Sequence, residues 1–330
     1  MTRAIVHIGY HKTATTWFQT CFYPFVRNAR YIPRQAVQSA FLEDTAFHFH
    51  PGRALEKLGA KADEKVILCE EGLSGYIHNG GYAGCFSKEM AHRIKAALPD
   101  ADIVIFVRNQ PSIIAASYQQ YVKGGGTHSV RRYLFAESYV QGARREFAKC
   151  PRFTFEHFEY APLIAHYQDL FGKDRVHVFA YEAFKAAPQK FLADFAARLG
   201  LDAGLKDLSG STSNRSYGLP TMWIVRVLNL FTNRTVLDKH YILHVPFWYA
   251  IARGIGIALN QLPLLNWSPG PRRLLGPRVH EWIAQRYARA NAELKALTGL
   301  PLEDYGYRLT PPEIALPKPG ATAFASWMGN

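Results

Sequence analysis

Four short apolar runs punctuate the first 180 residues: Ala4–Ile8, Lys65–Cys69, Ile103–Val107 and Arg175–Phe179. Each is rich in Val, Ile or Phe and is bounded by polar residues or glycine, the pattern of a short strand. Their nearly continuous apolar character predicts strands buried on both faces, as in a parallel sheet. Between and after them helices are predicted over about 15–22, 88–97, 111–123 and 155–171. Strands alternating with helices of that length predict βαβ units, and therefore an α/β fold built on a parallel sheet. A further helix is expected over 188–199, ended by Gly200. The last runs over about 279–297, stopped by Gly299 and Pro301. No internal repeat is visible.

In an open parallel sheet, ligands gather at the carboxyl ends of the strands. Three of the four expected strands end in reactive chemistry: Lys12 follows the first, Glu70 and Glu71 the second, and Arg108 the third. The first of these segments reads "HIGYHKTATTWFQ", residues 7–19. A strand, a tight polar turn and a helix start form a phosphate cradle, because free backbone N–H groups and the helix dipole both face an anion there. Lys12 adds a full positive charge, and Thr13, Thr15 and Thr16 add hydroxyl donors.

Composition narrows the choice of partner only partly. Of 330 residues 48% are apolar and 20% charged, which implies a substantial packed core and excludes global disorder. The formal net charge of +13 points to an anionic partner, whether nucleotide, acidic glycan, nucleic acid or membrane surface. The excess is concentrated: Asn214–Ala290 holds ten Lys or Arg against two acids, Asp238 and Glu281, together with Trp223, Trp248, Trp267 and Trp282. Either a helical region with a solvated basic face or an interface for an acidic or lipid-linked acceptor fits that window. The apolar run Tyr241–Leu259 contains Pro246 and Arg253. A central Arg costs about 2.5–3.5 kcal/mol on membrane insertion, so a span is not expected and peripheral contact through 214–290 is the membrane reading that remains. Arg3 is followed by too few apolar residues for a secretory leader. Cys21, Cys69, Cys85 and Cys150 show no Cys-x-x-Cys spacing, which suggests no zinc site and fits a reduced, cytoplasmic setting, at most peripheral to the inner membrane face.

An ATP-type phosphate loop needs Gly directly before its lysine, and its enzymes hold magnesium with an Asp at a strand end. Here Tyr10 and His11 separate Gly9 from Lys12, and the third strand ends in Arg108. "GYHKTATT" resembles instead the 5′-phosphosulfate loop of sulfotransferases that use 3′-phosphoadenosine 5′-phosphosulfate (PAPS). "VRNQPSIIAASYQQYVKGG", residues 107–125, resembles the 3′-phosphate segment of the same family, an Arg ending a strand with a Ser nine residues on. "YGY" at 305–307, and the "RANAELKALTGLPLEDYG" that leads into it, are similar to bacterial, carbohydrate-type members. The resemblance spans most of 3–308, thinly over 220–275.

It implies a P-loop-like three-layer α/β fold with a C-terminal helical region, all as one domain. That domain would comprise a nucleotide-binding core over 1–213, an acceptor-side region over 214–308 and a tail over 309–330. It implies PAPS as co-substrate, no metal, and a carbohydrate or glycolipid hydroxyl as acceptor, with no nucleic acid partner. By resemblance, Lys12 contacts the bridging oxygen of the donor. Thr13, Ala14, Thr15 and Thr16, with His11 shaping the loop, hold the phosphosulfate. Arg108 and Ser117 grip the 3′-phosphate, and Asn214, Arg215 and Ser216 form a nucleotide-side loop, although a plain turn also favours such residues. A Glu at the second strand end stands where the family carries its general base. The match favours Glu71, and alternation along the strand separately sends Glu70 to the opposite side. His11 is a rival base. Lys123 and His128 are candidates for the acceptor cleft. The family's usual loop glycine is Ala14 here, and the expectation is a helical φ/ψ at that position, where alanine costs nothing. Two other readings stay open: a non-catalytic binder of anionic glycans or nucleic acid, and a kinase with an atypical phosphate loop.

Overall fold

The structure is a computed structural model that describes residues 3–61, 63–136, 153–204, 217–234, 239–268, 270–313 and 316–317. The chain divides into two compact units that interleave along the sequence. The first comprises Met1–Asn109, His157–Ser213 and Ala290–Tyr307; the second comprises Gln110–Glu156, Asn214–Arg289 and Arg308–Asn330.

The first unit is built on a five-stranded, wholly parallel sheet: β1 (Arg3–Gly9), β2 (Arg30–Tyr31), β3 (Lys65–Cys69), β4 (Asp102–Val107) and β5 (Val176–Ala180). Their order is β2-β3-β1-β4-β5, so β1 lies between β3 and β4. After their first residues, β1, β3 and β4 are buried throughout, as the continuous apolar runs required. One face presents Ile5, Ile67, Cys69, Val104, Phe106 and Phe179 to Phe18, Phe22 and Tyr23 and to the helix Pro188–Arg198. The other is covered by the helix Tyr160–Phe171, which packs on β4 and β5. The result is the expected three-layer α/β architecture.

In chain order the helices are α1 (Thr15–Trp17), α2 (Arg34–Phe41), α3 (Pro51–Leu58), α4 (Cys85–Ala97), α5 (Gln110–Lys123), α6 (Val130–Leu134), α7 (Tyr160–Phe171), α8 (Tyr181–Ala186) and α9 (Pro188–Arg198). They continue with α10 (Leu219–Leu228), α11 (Trp248–Leu259), α12 (Pro271–Leu275), α13 (Pro277–Arg286) and α14 (Ala288–Thr298). Several depart from expectation. The helix expected over 15–22 is α for only its first three residues and then widens into a π-helical turn, Phe18–Phe22. That turn seats Phe18, Phe22 and Tyr23 in the core. The helix expected over 155–171 begins at Tyr160, after a 3-10 turn at Phe155–Phe158. Pro162 is tolerated only within a first turn, where the missing N–H is not needed. The last helix is interrupted at Tyr287, which is fully buried and donates its hydroxyl to the Phe155 carbonyl at 2.5 Å. The two-residue strand β2 and helices α2, α3, α6 and α8 carry too little pattern to be read from sequence.

In the second unit α10 packs on α11, and α5 packs against α10, α12 and α13. Its interior is aromatic: Tyr121 stacks on Tyr133 at 4.9 Å, and Phe155 meets Trp282 edge-on at 5.1 Å.

In the first unit the histidines His7 and His78 are buried to 0% and 1% exposure. Burial pushes each imidazole down to about 3, so both are neutral in the folded chain at neutral pH. The unfolded chain, with histidine near its ordinary value of about 6.5, binds more protons below that pH. Stability should therefore fall as pH drops from about 6.5 toward 3, by up to about 1.4 kcal/mol per pH unit for each such histidine. Urea unfolding at pH 7 and pH 5 checks this: the midpoint should be lower at pH 5, and an equal or higher midpoint there would contradict the burial of neutral imidazoles.

Candidate active site

β1 sits where the order of the sheet reverses, and the segments leaving β1, β3 and β4 emerge beside one another at the carboxyl edge. They bring Lys12, Glu71 and Arg108 to one side of the first unit.

The loop after β1 begins at Gly9, whose φ is 106°. A Cβ there would lie 3.2 Å from the His11 amide nitrogen and 3.3 Å from both Glu71 Cα and Ser74 Oγ. Glycine therefore serves both the left-handed backbone and the close approach of the two strand ends. Lys12 is exposed, with φ 61°. Thr13 is buried, and its hydroxyl donates inward to the Tyr10 carbonyl. Thr15 is buried and Thr16 partly so. Ala14 corrects an expectation: it is not helical but left-handed, with φ 70° and ψ 17°, and stands as the residue before α1. For an alanine that conformation costs about 1 kcal/mol or more.

The loop after β3 separates the two glutamates. Glu70 is 1% exposed and fully occupied. It accepts from Arg34 Nε at 2.6 Å, Gln38 Nε2 at 2.8 Å and the Gly72 amide at 2.8 Å, the last capping the short turn Glu71–Ser74. Glu71 accepts from Arg34 Nη2 at 3.2 Å through Oε1. Its Oε2 is enclosed and has no hydrogen-bond partner among the described residues. One guanidinium thus lies between the two carboxylates and offsets their repulsion. Glu70 builds the site, while Glu71 retains an uncommitted oxygen.

Arg108, at the end of β4, donates Nη1 to the Lys12 carbonyl at 2.7 Å and lies over the Tyr181 ring at 4.8 Å. Its Nε is enclosed and unpartnered among the described residues. The segment is held from below. Tyr160 donates to the Arg108 carbonyl at 2.6 Å, the Asn109 amide donates to Glu182 at 2.9 Å, and Asn109 Nδ2 donates to the Gly306 carbonyl at 3.0 Å. Tyr307 completes the brace with a hydroxyl 3.3 Å from Glu182. Burial, opposed by these donors and Arg108, pushes the Glu182 carboxyl up.

Three imidazoles lie near the loop. Burial, reinforced by Lys12 and Arg34 against the opposing Glu70, pushes His11 down to about 3. His157 is held at about 3 chiefly by burial, with His11 and His78 adding to it. Nδ1 of His11 and Nε2 of His157 are enclosed without hydrogen-bond partners among the described residues. At such a value His11 is neutral and a weak base, suited to shaping the loop and accepting a hydrogen bond.

The remaining expected residues belong to the second unit or lie outside the described residues. Ser117 belongs to the second unit, fully buried on α5 with its hydroxyl 3.0 Å from that of Tyr133. Lys123 and His128 are in the same unit. Lys123 lies 5.4 Å from the Tyr217 ring centre, and burial followed by Arg253 lowers its pKa. Asn214, Arg215 and Ser216 lie outside the described residues. Sequence reasoning missed Arg34, the shared partner of Glu70 and Glu71, because nothing local ties a helix start after a two-residue strand to a carboxylate 36 positions on. It also missed Glu182, for which a signal existed: an acid three residues after the fourth apolar run.

No protein-family profile matches the chain, and no curated protein matches it. Among solved structures it is similar to a sulfotransferase from Alicyclobacillus acidocaldarius, with 21% identity, covering 64% of this chain and 85% of that one, at a TM-score of 0.45.

Two substitutions test this geometry. Ala14→Gly should stabilise the protein by roughly 0.5–1 kcal/mol, since it relieves a left-handed alanine; a loss of stability in urea unfolding would mean the loop is helical there. Arg34→Ala leaves the buried Glu70 short of its main partner and should cost about 2 kcal/mol, well beyond the few tenths typical of an exposed ion pair. A cost within those few tenths would show the clamp to be a surface contact.

Proposed function

We propose that the protein is a sulfotransferase that moves a sulfuryl group from PAPS to a hydroxyl of a carbohydrate or glycolipid. The observation that carries the reading is the grouping of Lys12, Glu71 and Arg108 at three adjacent strand ends, with Glu71 Oε2 enclosed and uncommitted. The motif resemblance of residues 7–19 and 107–125 supplies the donor. The residues fit it: Lys12, Arg34 and Arg108 are cationic, and an anionic phosphosulfate suits a loop with left-handed backbone at Lys12 and Ala14.

The donor supplies an activated sulfuryl group on a phosphate leaving group, and the chain supplies placement and charge. Lys12 would hold the ammonium that offsets charge building on the bridging oxygen as its bond to sulfur breaks. The loop amides with Thr15 and Thr16 would hold the phosphate. Arg108, already fixed to the Lys12 carbonyl and stacked on Tyr181, would hold the 3′-phosphate, so one residue couples donor recognition to the position of the catalytic lysine. Glu71 would take the acceptor's hydroxyl proton on Oε2 as the oxygen attacks sulfur, with Arg34 orienting the carboxylate through Oε1. The products are a sulfate ester and 3′-phosphoadenosine 5′-phosphate. The basic and aromatic character of 214–290 favours an anionic or lipid-linked acceptor.

Calorimetric titration with 3′-phosphoadenosine 5′-phosphate, AMP and ATP in moderate salt tests the donor. Selective binding of the first supports the reading; equal weak binding of all three favours a polyanion binder, and selective, magnesium-dependent binding of ATP favours a kinase. Glu71→Gln should leave the affinity for 3′-phosphoadenosine 5′-phosphate nearly unchanged and reduce turnover by about a hundredfold or more. Equal loss of binding would remove Glu71 from the role of base. Arg108→Ala should weaken nucleotides bearing a 3′-phosphate far more than those without one, and uniform weakening would make Arg108 purely structural.

A further inference from the structure

The second unit exposes an apolar face that its own packing leaves open. The buried residues of α11 are Ala252 and Gly256, and a Cβ on Gly256 would come within 2.7 Å of Val225 on α10. The helix therefore docks through a narrow strip of small residues. Apart from Tyr249 and Arg253, the rest of it is apolar, where a solvent-facing helix surface is ordinarily polar. Phe247, Ile251 and Ile255 are exposed by 87%, 51% and 37%. Ile251 and Ile255, four apart, lie about 40° from each other around α11, and Phe247 precedes its first turn. α10 adds Trp223 at 64% and Val227 at 46%, one turn apart, and Leu264 is 88% exposed. Phe247 also has φ 62°, a region that bulky residues avoid, so the chain accepts strain to hold this ring outward ahead of α11.

The charge around this face selects its occupant. Arg226 lies 5.9 Å from the Trp223 ring centre, Arg234 lies 4.4 Å from that of Tyr249, and Arg253 is exposed on α11 itself. Between Asn214 and Ala290 the only acids are Asp238 and Glu281. A second copy of the same face would bring cations against cations. An anionic bilayer complements them, and Trp, Tyr and Arg side by side are the side chains that settle at a membrane–water boundary. Among the described residues no helix is long and apolar enough to cross a membrane. The twelve residues of α11 suit a helix lying in the interface.

We propose that the exposed face of α10 and α11 seats the protein on an anionic phospholipid bilayer. Phe247, Ile251 and Ile255 enter the boundary between headgroups and acyl chains, and Arg253 meets lipid phosphates. The full chain is tested by flotation with vesicles of phosphatidylcholine alone and of phosphatidylcholine with phosphatidylglycerol. It should float with the anionic vesicles, less so in high salt, and remain below with the neutral ones. The variant F247S/I251S/I255S should lose anionic-vesicle binding by about tenfold or more with an unchanged thermal unfolding midpoint. Arg253→Glu, which leaves the apolar stripe intact, should weaken it as well. The proposal is overturned if the wild type does not float with anionic vesicles, if the triple variant floats as the wild type does, or if the face instead holds a dimer that the triple variant dissociates, without flotation.

Discussion

The parallel ladder with β1 at its centre is the constraint from which the site follows. Parallel strands all point the same way, so every segment that leaves a strand emerges at one edge. With β3 on one side of β1 and β4 on the other, the loop carrying Lys12 is flanked by Glu70 and Glu71 and by Arg108. No long-range contact is needed to bring these three together once the strand order exists. The ladder in turn depends on burial of both sheet faces, which Phe106, Phe179 and the Phe18–Tyr23 turn supply on one side and α7 on the other.

The edge so created is electrically crowded, and two braces make it tolerable. Arg34 lies between Glu70 and Glu71, and its bonds divide their work: Glu70 is consumed in holding the turn, which leaves Glu71 with one oxygen uncommitted. Glu182, Tyr160 and Tyr307 hold the backbone at Arg108 and Asn109, and Arg108 holds the Lys12 carbonyl. The loop after β1, with left-handed residues at Gly9, Lys12 and Ala14, is thus pinned from a neighbouring strand rather than by its own propensity. Strain at such a loop persists only where its surroundings over-determine it.

The two units show two uses of apolar surface. In the first, Phe18, Phe22, Phe106, Phe179 and Phe195 face inward and close one layer over the sheet. In the second, α5, α12 and α13 bury theirs, while α10 and α11 meet through small residues and leave Trp223, Phe247 and Ile251 outside. The sequence window Asn214–Ala290 announces this by its aromatics and its surplus of cations, but composition alone does not say which side of a helix they occupy.

What the sequence by itself determined is what local patterning controls. The four apolar runs are strands β1, β3, β4 and β5 within a residue or two, because continuous burial leaves no other period. Lys12, Glu71 and Arg108 were legible as one group because parallel strands place their ends together. The tertiary structure decided the rest. Strand alternation already set Glu70 apart from Glu71, but what holds Glu70 was decided by Arg34 and Gln38, which arrive from a helix with no sequence link to β3. Ala14 is left-handed against the helical expectation for it, in a loop whose Lys12 carbonyl is held by Arg108 from the neighbouring strand end. Tyr287 breaks a helix that periodicity runs through, because its hydroxyl reaches Phe155, 132 residues earlier. Each of these depends on contacts distant in sequence, whose energies exceed the roughly 1 kcal/mol scale of local propensity.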